Sequence, residues 1–149
     1  MHRDEGSADG ARRPVSVRPK RMDRLATLPV FLPLDGRRAV VAGGSDAAAW
    51  KAELLSAAGA EVEVFAPEPC AEQALLAADP PGGCVRIVRK RWAPAAFAGA
   101  ALVVAVADSD GEAGRVQAAA RAAGVPLNVI DRPAYCAFQF GAIVNRSPL

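Results

Sequence analysis

The chain has 149 residues, of which 52% are hydrophobic, 23% charged and 5% aromatic, and its formal net charge is +2. This length fits one α/β domain, and no stretch approaches the roughly 18 uninterrupted apolar residues that a membrane-spanning helix needs. The three cysteines form no C-x-x-C pair and the only histidine is His2, which excludes His-based nucleophilic catalysis and a structural zinc site. Reduced thiols indicate a cytoplasmic protein.

Residues 1–24 differ in composition from the rest of the chain. They hold seven Lys or Arg against four acidic residues and almost no large apolar side chains, which predicts a disordered basic tail before a domain at 25–149. The alternative is an arm for nucleic acid or a membrane surface. Because the remaining body is near neutral and poor in aromatic residues, we expect no nucleic-acid or membrane partner.

From Leu25 onward, short β-rich runs alternate with alanine-rich helical stretches, as in βαβ units. The predicted fold class is therefore α/β, a Rossmann-type three-layer domain with a mostly parallel sheet. Trp50 and Trp92 are predicted to pack in the core or against helices. The predicted strands span 39–42, 61–65, 84–88, 102–106 and 127–130, and the predicted helices span 46–58, 71–78, 94–98 and 111–123.

A glycine turn follows the first predicted strand directly and precedes the first helix. Its residues Gly43, Gly44 and Ser45 resemble the G-x-G-x-x-G/A turn, in which backbone N–H groups at a helix N-terminus hold a pyrophosphate. Ala48 occupies the helix-packing position, whereas Ser45 replaces the glycine that lets the phosphates approach closely. A turn that only connects strand to helix is the alternative interpretation.

Acidic residues follow three of the predicted strands, at the sheet edge where α/β proteins bind ligands. Glu68 lies roughly 20 residues past the glycine turn, the spacing of the acid that binds ribose hydroxyls, and it favours NAD over NADP; a solvated loop residue is the alternative. Asp108 is predicted either to face the same crevice as Asp131 or to cap the following helix together with Ser109 and Asp110. Asp131 has no such alternative, because Pro133 follows it.

Several blocks of sequence, in a consistent order, resemble one known family. They include the entry segment 28–34, the glycine turn and helix at 40–60, the strand ending at Asp108, and the closing residues 146–149. A further block contains Asn128, Asp131, Pro133, Cys136 and Phe138. Together they resemble the precorrin-2 dehydrogenase and sirohydrochlorin ferrochelatase module of the sirohaem synthase family, with departures at Ser45, Ala107 and Gly141.

The resemblance implies that NAD⁺ takes a hydride from precorrin-2 to give sirohydrochlorin. The same site is then expected to help insert Fe²⁺, held only transiently and without a set of metal ligands, to give sirohaem. Asp131 matches the family's catalytic aspartate and is the expected acid/base. The predicted NAD-binding residues are Gly43, Gly44, Ser45, Asp46, Ala47, Pro67, Glu68 and Asp108.

Family members continue past the position of Leu149 with a region that builds a homodimer. The resemblance therefore implies that this chain is a truncated or split version without that dimerisation region. The departures at Ser45 and Ala107 leave a second interpretation open, a non-catalytic NAD- or tetrapyrrole-binding remnant or regulatory module.

Overall fold

The structure, a computed structural model, describes residues 21–143. The chain divides into two units between Val30 and Phe31. In the first unit, residues 21–30 are exposed and form neither helix nor strand. Most of the predicted basic tail and the closing block 146–149 lie outside the described residues. Within the described range, no helix has the length and apolar character needed to cross a bilayer.

A parallel sheet of five strands forms the centre of the second unit. The strands are β1 (Arg38–Ala42), β2 (Glu61–Phe65), β3 (Cys84–Val88), β4 (Leu102–Ala105) and β5 (Leu127–Val129). They lie side by side in the order β3-β2-β1-β4-β5, so β1 is central. Val41 of β1 is level with Val64 of β2 and with Val104 of β4. The apolar run of β1 follows from this position, because a strand covered on both faces and both edges meets no water.

Three α-helices connect the strands within residues 21–143: α1 (Asp46–Ala57), α2 (Ala71–Ala78) and α3 (Asp110–Ala123). Helix α1 buries Ala52 and Leu55 against the sheet face that carries Val41. Helix α3 buries Val116 against the opposite face, which carries Val40. The sheet therefore lies between two helical layers, and the predicted three-layer Rossmann-type fold is confirmed.

The observed helix ends follow from capping residues in the sequence. Ser45 caps α1, since its side chain accepts a hydrogen bond from the amide of Ala48. Gly124 ends α3 in the left-handed conformation, with φ of 70°. The brief helix predicted around 94–98 is a 3₁₀ helix, Pro94–Phe97, which stops before Gly99, where φ is 77°.

The two tryptophans have different environments. Trp92 stacks on Phe97, with ring centroids 5.2 Å apart, so its predicted packing role is confirmed. The core alternative is wrong for Trp50, because this side chain is 52% exposed on α1, where it lines a groove with Leu75 and Leu76 of α2. The helical period places Trp50 on the outer side of α1, while Ala49 and Ala52 face inward.

Candidate functional site

The strand order reverses direction between β1 and β4, and a cleft opens at the carboxyl ends of these strands. The chain runs from β1 outward to β2 and β3, then crosses to β4 on the other side of β1. Ligands of open α/β sheets bind at such a switch point. The cleft has a volume of about 510 Å³ and is lined by Ser45, Ala47, Val106, Ala107, Ile130, Asp131 and Arg132.

The glycine turn allows the chain segments behind this cleft to pack closely. Gly43 has φ of 141°, and a Cβ atom there would lie 2.9 Å from Cβ of Val106. A Cβ atom on Gly44 would lie 2.5 Å from the carbonyl oxygen of Glu68. Contacts this short are not observed for real side chains. The two glycines therefore permit the approach of the segments that follow β2 and β4.

The N-terminus of α1 presents free backbone donors. Among residues 21–143, the amides of Gly44, Ser45, Asp46 and Ala47 have no hydrogen-bond acceptor, whereas the amide of Gly43 donates to the Phe65 carbonyl at 2.9 Å. The hydroxyl of Ser45 is 3.1 Å from the Ala48 amide and accepts its hydrogen bond. Unpaired amides and the positive end of the helix dipole favour an anion. These residues fit the diphosphate of a dinucleotide.

Gln73 supports the glycine turn from α2, and its role was not predicted from the sequence. Its side chain is fully buried, with 0% exposure. Nε2 donates to the carbonyl oxygen of Gly43 at 2.8 Å, and Oε1 accepts from the Cys70 amide at 3.1 Å. A glutamine one turn into a helix gives no sequence signal of a partner 30 residues earlier.

Asp131 lies at the point where the turn after β5 reaches the cleft. It is exposed, and within residues 21–143 it is the only residue other than glycine with a positive φ, 62°. It lines the 510 Å³ cleft and also a neighbouring cavity of about 320 Å³. Aspartate tolerates the left-handed region better than most residues, yet such a conformation still has an energetic cost. A strained conformation at the edge of a cleft indicates that Asp131 is a candidate functional residue.

Arg132 holds this turn to the rest of the fold. Its Nε atom donates to the carbonyl of Ala107 at 3.1 Å, and its Nη1 atom donates to Oδ1 of Asp110 at 2.6 Å. The side chain is 29% exposed and lines the cleft beside Asp131. It was not predicted as a site residue, because a single arginine in a loop resembles a solvated surface residue.

The 320 Å³ cavity is bounded by the segment that follows the second 3₁₀ turn, Pro133–Tyr135. Asn128 anchors this segment, since its Nδ2 atom donates to the carbonyl of Phe138 at 3.0 Å. Nζ of Lys51 lies 4.1 Å from the ring centroid of Phe140, a cation–π contact at the cavity wall. The cavity therefore places a positive charge and an aromatic ring near Asp131.

The structure brings some of the predicted site residues together and separates others. Ser45, Ala47 and Asp131 line one cleft, and Gly43 and Gly44 form the turn behind it. Asp46 lines a different groove, between α1 and α2. Successive helix residues differ by about 100° in direction, which explains why Asp46 and Ala47 separate.

The other predicted ligand residues lie near the glycine turn or at the start of α3. Pro67 and Glu68 are exposed, and the Glu68 carbonyl packs against Gly44. Asp108 is exposed and does not line the cleft. Of the residues predicted to cap this helix, Ser109 is the cap of α3 and accepts from the Glu112 amide at 3.1 Å, whereas Asp108 is not the cap. No cluster of three or more His, Cys, Asp or Glu that could hold a metal ion occurs within residues 21–143.

The fold and the cleft define a nucleotide-binding domain of the Rossmann type. A family model described as NAD(P)-binding matches residues 30–142, and the chain belongs to this NAD(P)-binding family. The chain is 46% identical over 123 residues to the siroheme synthase of Ectopseudomonas mendocina (strain ymp), covering 82% of this chain and 25% of that protein. It is 41% identical over 122 residues to the siroheme synthase of Pseudomonas aeruginosa (strain UCBPP-PA14), covering 82% and 26%.

The chain thus spans about a quarter of the length of the curated relatives it matches. Among solved structures it is similar to "SirC, precorrin-2 dehydrogenase", with a TM-score of 0.62 and 22% sequence identity over 83% of this chain and 59% of that one. At that identity the likeness supports the fold alone.

Proposed function

We propose that this domain binds NAD⁺ at the carboxyl ends of β1 and β4 and oxidises precorrin-2 to sirohydrochlorin. The observation that carries the proposal is the shared cleft, in which the start of α1, with Ser45 and Ala47, faces the same space as Asp131. The similarity to siroheme synthases, at 40–46% identity, supports the choice of substrate.

The dinucleotide would be held by the start of α1. The free amides of Gly44, Ser45 and Asp46 would donate to the diphosphate, and Gly43 keeps the turn close to β4. Bound NAD⁺ supplies the hydride acceptor. The protein positions it and leaves the turn after β5 on the far side of the cleft for the substrate.

Asp131 would serve as the acid/base. Oxidation of a reduced tetrapyrrole removes a hydride from one carbon and a proton from another position, so a carboxylate beside the hydride acceptor can take the proton. Asp131 is exposed and borders both the cleft and the cavity next to it, which gives its carboxylate access to a bulky substrate. Arg132 fixes the adjoining backbone through Ala107 and Asp110.

Insertion of Fe²⁺ into the product is the second step of the proposal. Asp131, which is exposed, would accept the pyrrole N–H protons that the metal displaces one at a time and release each to solvent, and Fe²⁺ is a substrate that the protein holds only in passing. The described residues contain no metal-binding cluster of three or more side chains, so iron would be held mainly by the tetrapyrrole nitrogens.

We propose NAD⁺ rather than NADP⁺ because of Glu68. Its backbone packs on Gly44, so the residue lies beside the nucleotide turn, and its side chain is exposed. A carboxylate there accepts hydrogen bonds from ribose hydroxyls and repels a 2′-phosphate.

The proposal is tested by following NADH formation from precorrin-2 with the wild-type chain and with Asp131→Ala. We expect measurable turnover in the wild type and a decrease of about 10²-fold or more in the variant, the usual contribution of a general base. The dissociation constant for NAD⁺ should be the same in both proteins. Binding of NAD⁺ without turnover in the wild type would leave a binding or regulatory module, and absence of NAD⁺ binding would overturn the proposal.

A further inference from the structure

Gln73 makes two hydrogen bonds of opposite sense, one accepted and one donated. Its Oε1 atom accepts from the Cys70 amide at 3.1 Å, and its Nε2 atom donates to the Gly43 carbonyl at 2.8 Å. The first partner is a donor and the second an acceptor, so the orientation of the side-chain amide is fixed. An ionised glutamate would lack the donor for the Gly43 carbonyl, and a methionine of similar length would lack both the donor and the amide oxygen.

The bond to Gly43 determines the direction of the next amide. The peptide between Gly43 and Gly44 is trans and planar, so the Gly43 carbonyl and the Gly44 N–H point in opposite directions. Gln73 draws the carbonyl toward α2. The Gly44 N–H is therefore directed away from α2, and no residue of α2 lines the 510 Å³ cleft.

The hydrogen bond from Gln73 matters for the orientation of this peptide because both of its residues are glycines. Glycine has low barriers to φ and ψ rotation, and a peptide between two glycines flips more easily than most. A flipped peptide would present a carbonyl oxygen where the turn should offer an N–H group. The oxygen would repel a phosphate, so the orientation of this one peptide decides whether the turn attracts or rejects an anion.

We infer that Gln73 is a positioning residue for nucleotide binding, which acts by holding the Gly43–Gly44 peptide in the orientation that donates to the dinucleotide diphosphate. The inference rests on the proposed NAD⁺ site. It assigns a binding function to a fully buried residue that has no place in the cleft itself.

The test compares Gln73→Met with a matched control, Ser56→Ala. Ser56 is also buried at 0% exposure, and its hydroxyl donates to the carbonyl of Gly82 at 2.5 Å. It lies in the last turn of α1, at the opposite end of the helix from the glycine turn. Each change removes one buried hydrogen bond to a glycine carbonyl, and Gln73→Met also removes the bond that the Cys70 amide donates to Oε1. We expect Gln73→Met to weaken NAD⁺ binding about tenfold or more by calorimetry, and Ser56→Ala to leave it within about twofold.

A second measurement reports on the orientation of the Gly43–Gly44 peptide in the absence of NAD⁺. The Gly44 amide resonance in ¹⁵N spectra should move in Gln73→Met and stay in place in Ser56→Ala. An unchanged Gly44 resonance, or equal NAD⁺ affinity in Gln73→Met and wild type, would overturn the inference. If the wild type binds no NAD⁺, the proposed function fails, and the Gly44 resonance alone decides whether Gln73 orients the peptide.

Folding of the variant is not required for a decision. If Gln73→Met does not fold, the wild-type protein is titrated with NAD⁺ while the Gly44 amide and the Gln73 side-chain amide are observed. The Gly44 amide should shift on binding, and the Gln73 side-chain protons should stay slow to exchange throughout. A Gly44 amide that does not respond to bound NAD⁺ would contradict the inference.

Discussion

The guanidinium group of Arg132 lies 2.6 Å from Oδ1 of Asp110 and joins the turn after β5 to the first turn of α3. The same side chain donates to the Ala107 carbonyl at 3.1 Å, in the segment that follows β4. Asp131 therefore precedes a residue whose side chain is held by two hydrogen bonds, to the Ala107 carbonyl and to the Asp110 carboxylate. Because the Asp110 side chain is 78% exposed, the ion pair should contribute less than the bond to the carbonyl.

We predict that Arg132→Gln destabilises the fold by about 1–2 kcal/mol, since it removes a charged donor from a backbone carbonyl. Asp110→Asn should cost less than about 1 kcal/mol, because an exposed pair is screened by solvent. Urea denaturation of both variants and of the double variant measures the two terms and their coupling. Equal losses for the single variants would show that the ion pair, and not the carbonyl bond, fixes the turn.

Substitution of Ser45 distinguishes its contribution to the stability of α1 from its effect on NAD⁺ binding. Ser45→Gly should tighten NAD⁺ binding by up to about tenfold, because it removes the Cβ atom that narrows the approach to the amides. The cost in stability should be only a few tenths of a kcal/mol, roughly the cost of glycine at an N-cap. Ser109→Gly, the same change at the cap of α3, should cost about as much and leave NAD⁺ affinity unchanged. Weaker binding in Ser45→Gly would mean that the hydroxyl contacts the nucleotide.

Glu68 is predicted to set the preference for NAD⁺ over NADP⁺. In Glu68→Gln the dissociation constant for NADP⁺, divided by that for NAD⁺, should fall by about tenfold, because the repulsion of a 2′-phosphate is lost. Glu61→Gln is the control, since Glu61 is equally charged and exposed but begins the strand β2 whose other end leads to Glu68. A similar change in both variants would show that net charge, and not the position of Glu68, causes the preference.

The glycine turn is predicted to be intolerant of a methyl group. Gly44→Ala should destabilise the fold by about 1–3 kcal/mol, because the new Cβ atom would lie 2.5 Å from the Glu68 carbonyl oxygen. Gly114→Ala, inside α3 with no atom within 4 Å of the new Cβ, should stabilise it by about 0.5–1 kcal/mol. Thermal unfolding of the two variants gives opposite shifts in Tm, and a gain for Gly44→Ala would contradict the observed packing.

The sequence predicts the order and bounds of the elements closely because each is marked by its own residues. Gly59 and Gly124 end α1 and α3, and the predicted strand 61–65 coincides with β2. Local signals of this kind require no knowledge of distant contacts. The placement of Asp131 at a strand end could be predicted for the same reason.

The rest depends on contacts between distant parts of the chain. Gln73 bonds a residue 30 positions away, and Arg132 bonds Ala107 across 25 positions. Neither residue belongs to a periodic pattern. The exposure of Trp50 was also missed, since composition favours burial of tryptophan and only the packed helix shows which side faces the sheet.

A crystal structure with bound NAD⁺ shows whether a dinucleotide and Asp131 occupy one cleft. We expect the diphosphate at the amides of Gly44 to Asp46 and the nicotinamide ring on the side of the cleft that Asp131 lines. A diphosphate located elsewhere, or a nicotinamide ring directed away from Asp131, would contradict this expectation.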